Sequence, residues 1–159
     1  MPNFKVHVSK DYLVFCAAHF VTYDGVCEPL HGHNYRASVT VEGDLQDDHF
    51  VLNFVTLKRL MRKLVDQLDH LTLLPATNPY FRLTRANDEI TVDVGDRRYV
   101  LPVADVLVLP IPNTTAELLA QYLAGQLRAE LRDVPNLTAC EMTVDEVQGQ
   151  AATYREAWR

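Results

Sequence analysis

The chain can be interpreted outward from one stretch, Cys27-Glu28-Pro29-Leu30-His31-Gly32-His33-Asn34-Tyr35. Two histidines separated by one residue lie on the same face of a β-strand, because strand side chains alternate between the two faces. The strand is predicted over residues 31–42, and the positions that share the parity of the histidines are apolar: Tyr35, Ala37, Val39 and Val41. The two imidazoles therefore point to the apolar side, where their ring nitrogens need partners.

A third histidine turns this pair into a candidate metal site. His19 closes the run Phe15-Cys16-Ala17-Ala18-His19, which is predicted to form the preceding strand. Three imidazoles without an obvious fourth protein ligand are typical of a catalytic zinc site, whose fourth position is left for water or substrate. Cys27 is the competitor for that position, although its spacing matches no zinc-finger pattern. The alternative is that the histidines are core residues bonded to backbone carbonyls.

The composition is that of a globular protein, with 159 residues of which 48% are hydrophobic and 23% charged. We expect one domain over residues 1–159. A formal net charge of −6 argues against nucleic-acid binding, and the apolar runs are too short to span a membrane. We expect no secretory leader, and three cysteines without CxxC spacing do not indicate a disulfide framework. These features predict a cytoplasmic protein with reduced thiols.

Apolar periodicity predicts two helices. The first carries a stripe at helical spacing, with Thr56 as its N-cap, and the stripe consists of Leu57, Leu60, Met61, Leu64, Val65 and Leu68. The second begins at Thr114-Thr115-Ala116-Glu117, whose Thr-x-x-Glu spacing is that of a capping box, and continues to about Arg132.

Strands are predicted at both ends of the chain. Residues 4–19 form one long strand or two strands broken near Lys10-Asp11, and further strands are predicted over residues 31–42, 137–146 and 151–154. Between the helices, residues 79–110 are predicted to form an extra β-hairpin insertion, with Gly95-Asp96 as a turn. This order predicts an α+β fold in which a four-stranded antiparallel sheet has two helices packed on one face. No predicted element covers the other face, so we expect the chain to self-associate.

Six motifs, in this order, resemble the 6-pyruvoyltetrahydropterin synthases and their bacterial relatives, the 6-carboxytetrahydropterin synthases, of the tunnelling-fold superfamily. They are Phe15-Cys16-Ala17-Ala18-His19; Cys27 with His31-Gly32-His33-Asn34-Tyr35; Asn53-Phe54 with Leu57-Lys58; Leu68-Asp69-His70; Thr115-Ala116-Glu117; and Glu146 followed eight residues later by Tyr154. Together they cover nearly all of the chain outside residues 79–110.

The resemblance implies a role for each matching residue. The zinc ligands would be His19, His31 and His33. The catalytic base would be Cys27, with Asp69 and His70 as its charge-relay partners. The pterin ring would be held by Glu146, with Thr115 and Glu117 nearby. The implied substrate is 7,8-dihydroneopterin triphosphate. The implied assembly is a hexamer of two stacked trimers with active sites at subunit interfaces, in agreement with the uncovered sheet face.

The spacing of three residues between Cys27 and His31 is more like that of the family's carboxy-product branch, which serves queuosine (7-deazaguanine) biosynthesis. A 6-pyruvoyl product is the alternative inside the family. A zinc-containing pterin-binding protein without efficient turnover is the alternative of another class. The sequence departs from the family in its long 79–110 segment, and it shows no Gly-rich triphosphate loop, so a cationic pocket would have to be assembled in space.

Overall fold

The computed structural model describes residues 4–158, which form a six-stranded sheet with two helices on one face and a smaller three-stranded sheet beside it. The elements in chain order are β1 (Phe4–His19), β2 (Thr22–Tyr23), β3 (Val26–Cys27), β4 (His31–Gly43), α1 (Phe54–Asp66), β5 (Leu71–Pro75), β6 (Phe81–Ala86), β7 (Glu89–Val94), β8 (Arg97–Pro102), a 3₁₀ turn (Val103–Asp105), β9 (Val106–Leu109), α2 (Ala116–Glu130), β10 (Leu137–Val147) and β11 (Gln150–Ala157).

The main sheet has the strand order β11-β10-β4-β1-β5-β9. Its first four strands are antiparallel, as predicted. The prediction of only four strands was wrong, because β5 and β9 extend the sheet in parallel beyond β1. Both added strands are short apolar runs without alternation. The sequence of such a run does not show which sheet it joins.

Residues 79–110 form more than the predicted hairpin. Strands β6, β7 and β8 make a separate antiparallel sheet, and β9 returns to the main sheet. The turn between β7 and β8 contains Gly95 at a φ of 59°, a left-handed conformation that favours glycine. The inner face of the small sheet packs on Phe20 and Leu74, forming a second apolar cluster. The insertion therefore lies directly behind the segment that follows His19.

Both helices begin away from their predicted starts: α1 begins three positions earlier and α2 one position later. The N-cap of α1 is Asn53, whose side chain accepts a hydrogen bond from Val55 N at 2.8 Å, so the prediction of Thr56 was wrong. The N-cap of α2 is Thr115, whose hydroxyl accepts from Leu118 N at 3.4 Å. Because Thr115 rather than Thr114 caps the helix, Glu117 is its second residue and belongs to no capping box.

The core lies between the helices and the main sheet. The apolar stripe of α1 faces β1, where Leu57, Met61, Leu64 and Val65 are buried, while α2 packs on β10 and β11. Burying each of these large side chains contributes roughly 1.5–3 kcal/mol before the entropic cost of ordering is counted. The predicted stripe thus marks the face of α1 that joins the core.

The opposite face of the main sheet is polar. Its buried carboxylate, Glu42, is 5% exposed and is paired with Lys5 at 2.9 Å and with Arg155 at 3.3 Å. Within the described residues, β5 covers β1 only along Ala17–His19, and β11 pairs only with β10. Two long strand edges therefore remain available, one on the first part of β1 and one on β11. No helix in residues 4–158 combines the length and apolarity that a membrane span requires.

Candidate functional site

The three predicted histidines meet where β1 ends and β4 begins. His19 is paired in the sheet register with His31, and Ala17 is paired with His33, so the three imidazoles converge on one side of the sheet. The Nε2 atoms of His19 and His31 are 3.2 Å apart, and one ligand atom from each of the three histidines lies within 4.8 Å of the others. Two nitrogens on one tetrahedral zinc ion are separated by about 3.3 Å. The group is therefore compact enough to hold a metal ion.

The outer ring nitrogens are oriented by backbone carbonyls. Nδ1 of His19 donates to the carbonyl of Thr114 at 2.9 Å, and Nδ1 of His31 donates to the carbonyl of Pro29 at 2.7 Å. These bonds place the proton on Nδ1 and leave the Nε2 lone pairs directed at each other, which is the tautomer a metal requires. Thr114 is itself fixed, because its hydroxyl donates to Phe20 O at 2.6 Å.

The third imidazole has an unsatisfied nitrogen. Nε2 of His33 is buried and has no hydrogen-bond partner among the described residues, and the carboxylate of Glu146, at 3.4 Å, is not aligned to bond it. Buried nitrogens without partners are rare, and a metal ion would satisfy this one. Burial also lowers the pKa of His19 from 6.5 to about 4, so this ring stays neutral, as ligation demands. The donor set therefore fits a metal ion better than it fits a set of core histidines.

A cavity of about 270 Å³ opens beside the histidines, and three of its lining residues, Thr115, Glu117 and Glu146, are predicted substrate residues. Its volume is near the lower end of the usual range for small-molecule sites, about 300–1,000 Å³. Glu146 lies in a β-bulge, since the register between β10 and β11 shifts between Asp145 and Val147. Thr115, the N-cap of α2, and Glu117, in its first turn, line the cavity from the N-terminal end of the helix.

Glu28 also lines this cavity, and its carboxylate lies 3.6 Å from Nε2 of His31. No role for Glu28 was predicted from the sequence, although it directly follows Cys27. The available signal was an acidic residue next to Cys27 and three positions before His31. The structure thus brings a carboxylate, rather than a thiol, close to the histidines.

Cys27 lies elsewhere on the same loop. It lines a separate cavity of about 280 Å³ with Tyr80, Asp96 and Arg97, and its Sγ contacts the carbonyl of Glu28 at 3.3 Å. It does not belong to the metal-competent group found among the described residues. Burial raises the pKa of the Cys27 thiol, whereas the Arg97 guanidinium acts in the opposite direction. Arg97 was not among the site residues predicted from the sequence.

Asp69 and His70 pair with each other, with Oδ2 of Asp69 2.8 Å from Nδ1 of His70. They lie at the edge of β1: Cys16 N donates to Oδ1 of Asp69 at 2.7 Å, and His70 N donates to Cys16 O at 2.6 Å. The bond from Cys16 N is the main reason that the pKa of Asp69 is lowered. His70 adopts a left-handed conformation with a φ of 59°, and its side chain is 81% exposed. In the described chain, this pair makes no hydrogen bond or ion pair with a residue that lines the cavity.

The family model for 6-pyruvoyl tetrahydropterin synthase matches residues 7–157. The chain is 33% identical over 147 residues to a putative 6-carboxy-5,6,7,8-tetrahydropterin synthase of Methanocaldococcus jannaschii, which covers 91% of this chain and 90% of that protein. It is 30% identical over 156 residues to the 6-carboxy-5,6,7,8-tetrahydropterin synthase of Bacillus subtilis, with 96% and 86% covered.

Solved structures are similar over the whole length. The 6-pyruvoyltetrahydropterin synthase of Plasmodium vivax superposes with a TM-score of 0.92 at 31% identity, covering 99% of each chain. A variant of that protein, in which a glutamate described as a catalytic residue is replaced by alanine, gives a TM-score of 0.92 at 30% identity, again with 99% of each chain covered. The similarity therefore includes the insertion between the helices.

Proposed function

The chain belongs to the 6-pyruvoyl tetrahydropterin synthase family, and from this premise we propose that it is a zinc-dependent lyase acting on 7,8-dihydroneopterin triphosphate. The observation that carries the proposal is the compact group of His19, His31 and His33 beside a cavity that contains Glu146. The proposed product is 6-carboxytetrahydropterin, made for queuosine (7-deazaguanine) biosynthesis. The names of the curated relatives and the three-residue spacing after Cys27 support this choice.

The three histidines are the proposed zinc ligands, and the carbonyls of Thr114 and Pro29 orient the rings of two of them, His19 and His31. When bound, zinc supplies Lewis acidity toward the oxygens of the substrate side chain. The chain's own contribution is a neutral, pre-oriented donor set. His19 is prepared for this role because burial keeps it unprotonated at physiological pH.

Glu146 is the proposed anchor of the pterin ring. A carboxylate matches the two adjacent N–H donors on the 2-amino-4-oxopterin edge, which gives a paired, charge-assisted contact. Glu117 and Thr115 line the same cavity from the N-terminus of α2. Because Glu28 also lies there, the cavity is acidic and suits a donor-rich heterocycle rather than a triphosphate. The triphosphate is therefore expected to extend away from this cavity.

Two groups are candidates for the catalytic base. Cys27, with Asp69 and His70 as a proton relay, is the first. This relay requires a second subunit, because the pair lies at the edge of β1 rather than beside Cys27 within one chain. The proposed assembly is a hexamer of two stacked trimers, and the available edges of β1 and β11 support it, since open edges pair readily between chains.

Glu28 is the second candidate base. Its carboxylate lies within the cavity and 3.6 Å from His31 Nε2, so it can reach a substrate held beside the histidines. The Plasmodium vivax protein, whose catalytic residue is a glutamate, lends support to this choice. A carboxylate accepts a proton directly and needs no relay.

The test is incubation of the zinc-loaded protein with 7,8-dihydroneopterin triphosphate, followed by measurement of triphosphate release and of the product mass. Glu28→Gln and Cys27→Ala are the matched variants, since each removes one candidate base. Loss of turnover in one variant, with the other retaining most of it, assigns the base. Failure of the unmodified protein to release triphosphate, under conditions in which the Bacillus subtilis relative does so, refutes the proposal. A 6-pyruvoyl mass would select the alternative within the family.

A zinc-containing pterin-binding protein without efficient turnover is the second candidate function. The observation that favours it is the state of Cys27, whose thiol pKa is raised by burial and whose proposed relay lies elsewhere in the chain. This candidate predicts tight binding of a dihydropterin without release of triphosphate. Calorimetric titration with dihydroneopterin and the turnover assay, carried out on the same preparation, separate the two functions.

A further inference from the structure

Arg97 joins the insertion to the loop that carries Cys27. It is the first residue of β8, opposite Val94, and it follows the Gly95-Asp96 turn. Its side chain turns to the inner face of the small sheet. There Nη2 donates to the carbonyl of Cys27 at 2.5 Å and Nη1 donates to the hydroxyl of Tyr99 at 3.3 Å. The guanidinium is therefore fixed from both sides.

The other end of this contact chain reaches the segment beside the metal ligands. The ring of Tyr99 packs edge-on against the ring of Phe20, with centroids 4.9 Å apart. Phe20 is fully buried and directly follows His19. The small sheet thus contacts the loop between β1 and β4 at both ends, through Tyr99 at Phe20 and through Arg97 at Cys27. A rigid sheet holds the loop that separates His19 from His31.

Arg97 also brings positive charge to the thiol. The cavity that Cys27 lines contains two further titratable side chains, Asp96 and Tyr80, and Glu28 adjoins Cys27 on the loop itself. Burial and the Glu28 carboxylate raise the pKa of Cys27, and Arg97 opposes both through its charge and a hydrogen bond. A nearby guanidinium is a recognised means of stabilising a thiolate.

We propose that Arg97 is a positioning residue for Cys27: it holds the Cys27 backbone in place and stabilises the thiolate. The insertion over residues 79–110 then belongs to the active site, whereas its sequence predicted only an extra hairpin. The catalytic importance of this arrangement rests on the proposed function, in which Cys27 is a candidate base. The effect on the thiol itself does not depend on turnover.

The experiment measures the rate at which iodoacetamide alkylates Cys27, as a function of pH, in the full-length protein without substrate. All proteins carry Cys16→Ser, which removes the exposed thiol, and Cys140 is fully buried. A Cys27→Ser version gives the background rate. Arg97→Gln is the test variant. Arg98→Gln is the matched control, because Arg98 is the next residue, is 70% exposed and reaches only Asp93 among its ion-pair partners in the described chain.

We expect Arg97→Gln to raise the midpoint of the alkylation profile by about one pH unit, which lowers the rate at pH 7.5 about tenfold. The limiting rate at high pH should not change. A variant that altered only the access of iodoacetamide to Cys27 would show the opposite result, with a changed limiting rate and an unchanged midpoint. Arg98→Gln should superpose on the unmodified profile. An unchanged midpoint in Arg97→Gln overturns the proposal. If Arg97→Gln does not fold, Arg97→Lys is used instead. Lysine lacks the planar guanidinium group, so we expect a smaller rise in the midpoint, and an unchanged midpoint again overturns the proposal.

Turnover measured on the same proteins separates this inference from the proposed function. If the unmodified protein releases no triphosphate but the alkylation midpoint shifts as expected, the proposed function fails and the role of Arg97 in holding the thiolate stands. If turnover is observed and the midpoint does not shift, the proposed function stands and this inference fails. Where Cys27 is the base, Arg97→Gln should lower kcat about tenfold with little change in KM, because Arg97 acts through Cys27 rather than on the substrate.

Discussion

Replacing Gly32 with alanine should loosen the histidine cluster from within the strand that carries it. Gly32 lies between His31 and His33 and is paired with Ala18 on β1. A Cβ at this position would lie 2.8 Å from the carbonyl oxygen of Ala17 and 3.3 Å from Cα of Ala18. Both contacts are with backbone, so no flexible side chain can move aside. The two strands must separate by on the order of 0.5 Å to restore normal van der Waals distances.

The size of the effect follows from opposing contributions. Overpacking of this kind costs roughly 1–3 kcal/mol, whereas replacing a strand glycine with alanine gains about 0.5–1 kcal/mol in backbone entropy. The net loss in the free energy of unfolding should be about 1–2 kcal/mol, which lowers the melting temperature by roughly 2–8 °C in a chain of this length. His31 and His33 would also move relative to His19. Disturbed support of metal ligands typically costs at least about tenfold in affinity, and we expect such a loss for zinc.

Urea unfolding and competition with a zinc chelator measure the two effects independently. Gly125→Ala is the matched control, because Gly125 lies within α2 and an added Cβ there would meet nothing within 4 Å. The same chemical change should stabilise the protein by up to about 1 kcal/mol at that position and leave zinc affinity unaltered. If Gly32→Ala is as stable as the unmodified protein and binds zinc equally well, the close approach of β1 and β4 does not hold the cluster together.

Three further predictions concern the metal, the pH dependence and the first helix. His33→Ala should reduce bound zinc from about one ion per chain to less than about a tenth, whereas His49→Ala, outside the cluster, should not; equal zinc contents by elemental analysis would contradict the metal assignment. Burial lowers the pKa of His19 from 6.5 to about 4. Between these two pH values His19 is therefore protonated in the unfolded chain and neutral in the folded chain. The metal-free protein should therefore lose up to roughly 3 kcal/mol of stability between pH 7 and pH 4; a His19→Gln variant should lose correspondingly less by urea unfolding, and identical losses would contradict the burial effect. Asn53→Ala should lower the free energy of unfolding by about 1 kcal/mol, because it removes the N-cap of α1, while Thr56→Ala should be nearly neutral. Thermal melting measures both, and a larger loss in Thr56→Ala would show that Thr56 is the cap after all.

The sequence predicted that the histidines lie together because strand alternation and strand pairing agree there. Alternation along residues 31–42 assigns His31 and His33 to the core side, and the antiparallel pairing of β4 with β1 then brings His19 opposite His31. The buried face of α1 was predicted in the same way, from the apolar stripe of the helix. Patterns that repeat over several turns or residues survive the details of tertiary packing.

Features that depend on a single residue or on contacts in space were not predictable in this way. Two candidate caps adjoin each other at Thr114 and Thr115, and the choice between them is made by burial of Thr114 against Phe20. Strand β5 has no alternation of its own, and its assignment depends on pairing with β1. The separation of Glu28 and Cys27 into two cavities depends on the path of the loop, which Arg97 of the distant insertion holds.

The left-handed conformation of His70 has a consequence for anyone who engineers this protein. A non-glycine residue at a φ of 59° bears a conformational cost of roughly 1–2 kcal/mol that glycine would not bear. A stability-guided redesign would therefore select glycine or asparagine at this position and report an improvement. That substitution would erase the imidazole paired with Asp69. A screen that rewards thermostability alone would thus select against His70, so libraries built on this scaffold should keep position 70 fixed or be sorted by turnover as well.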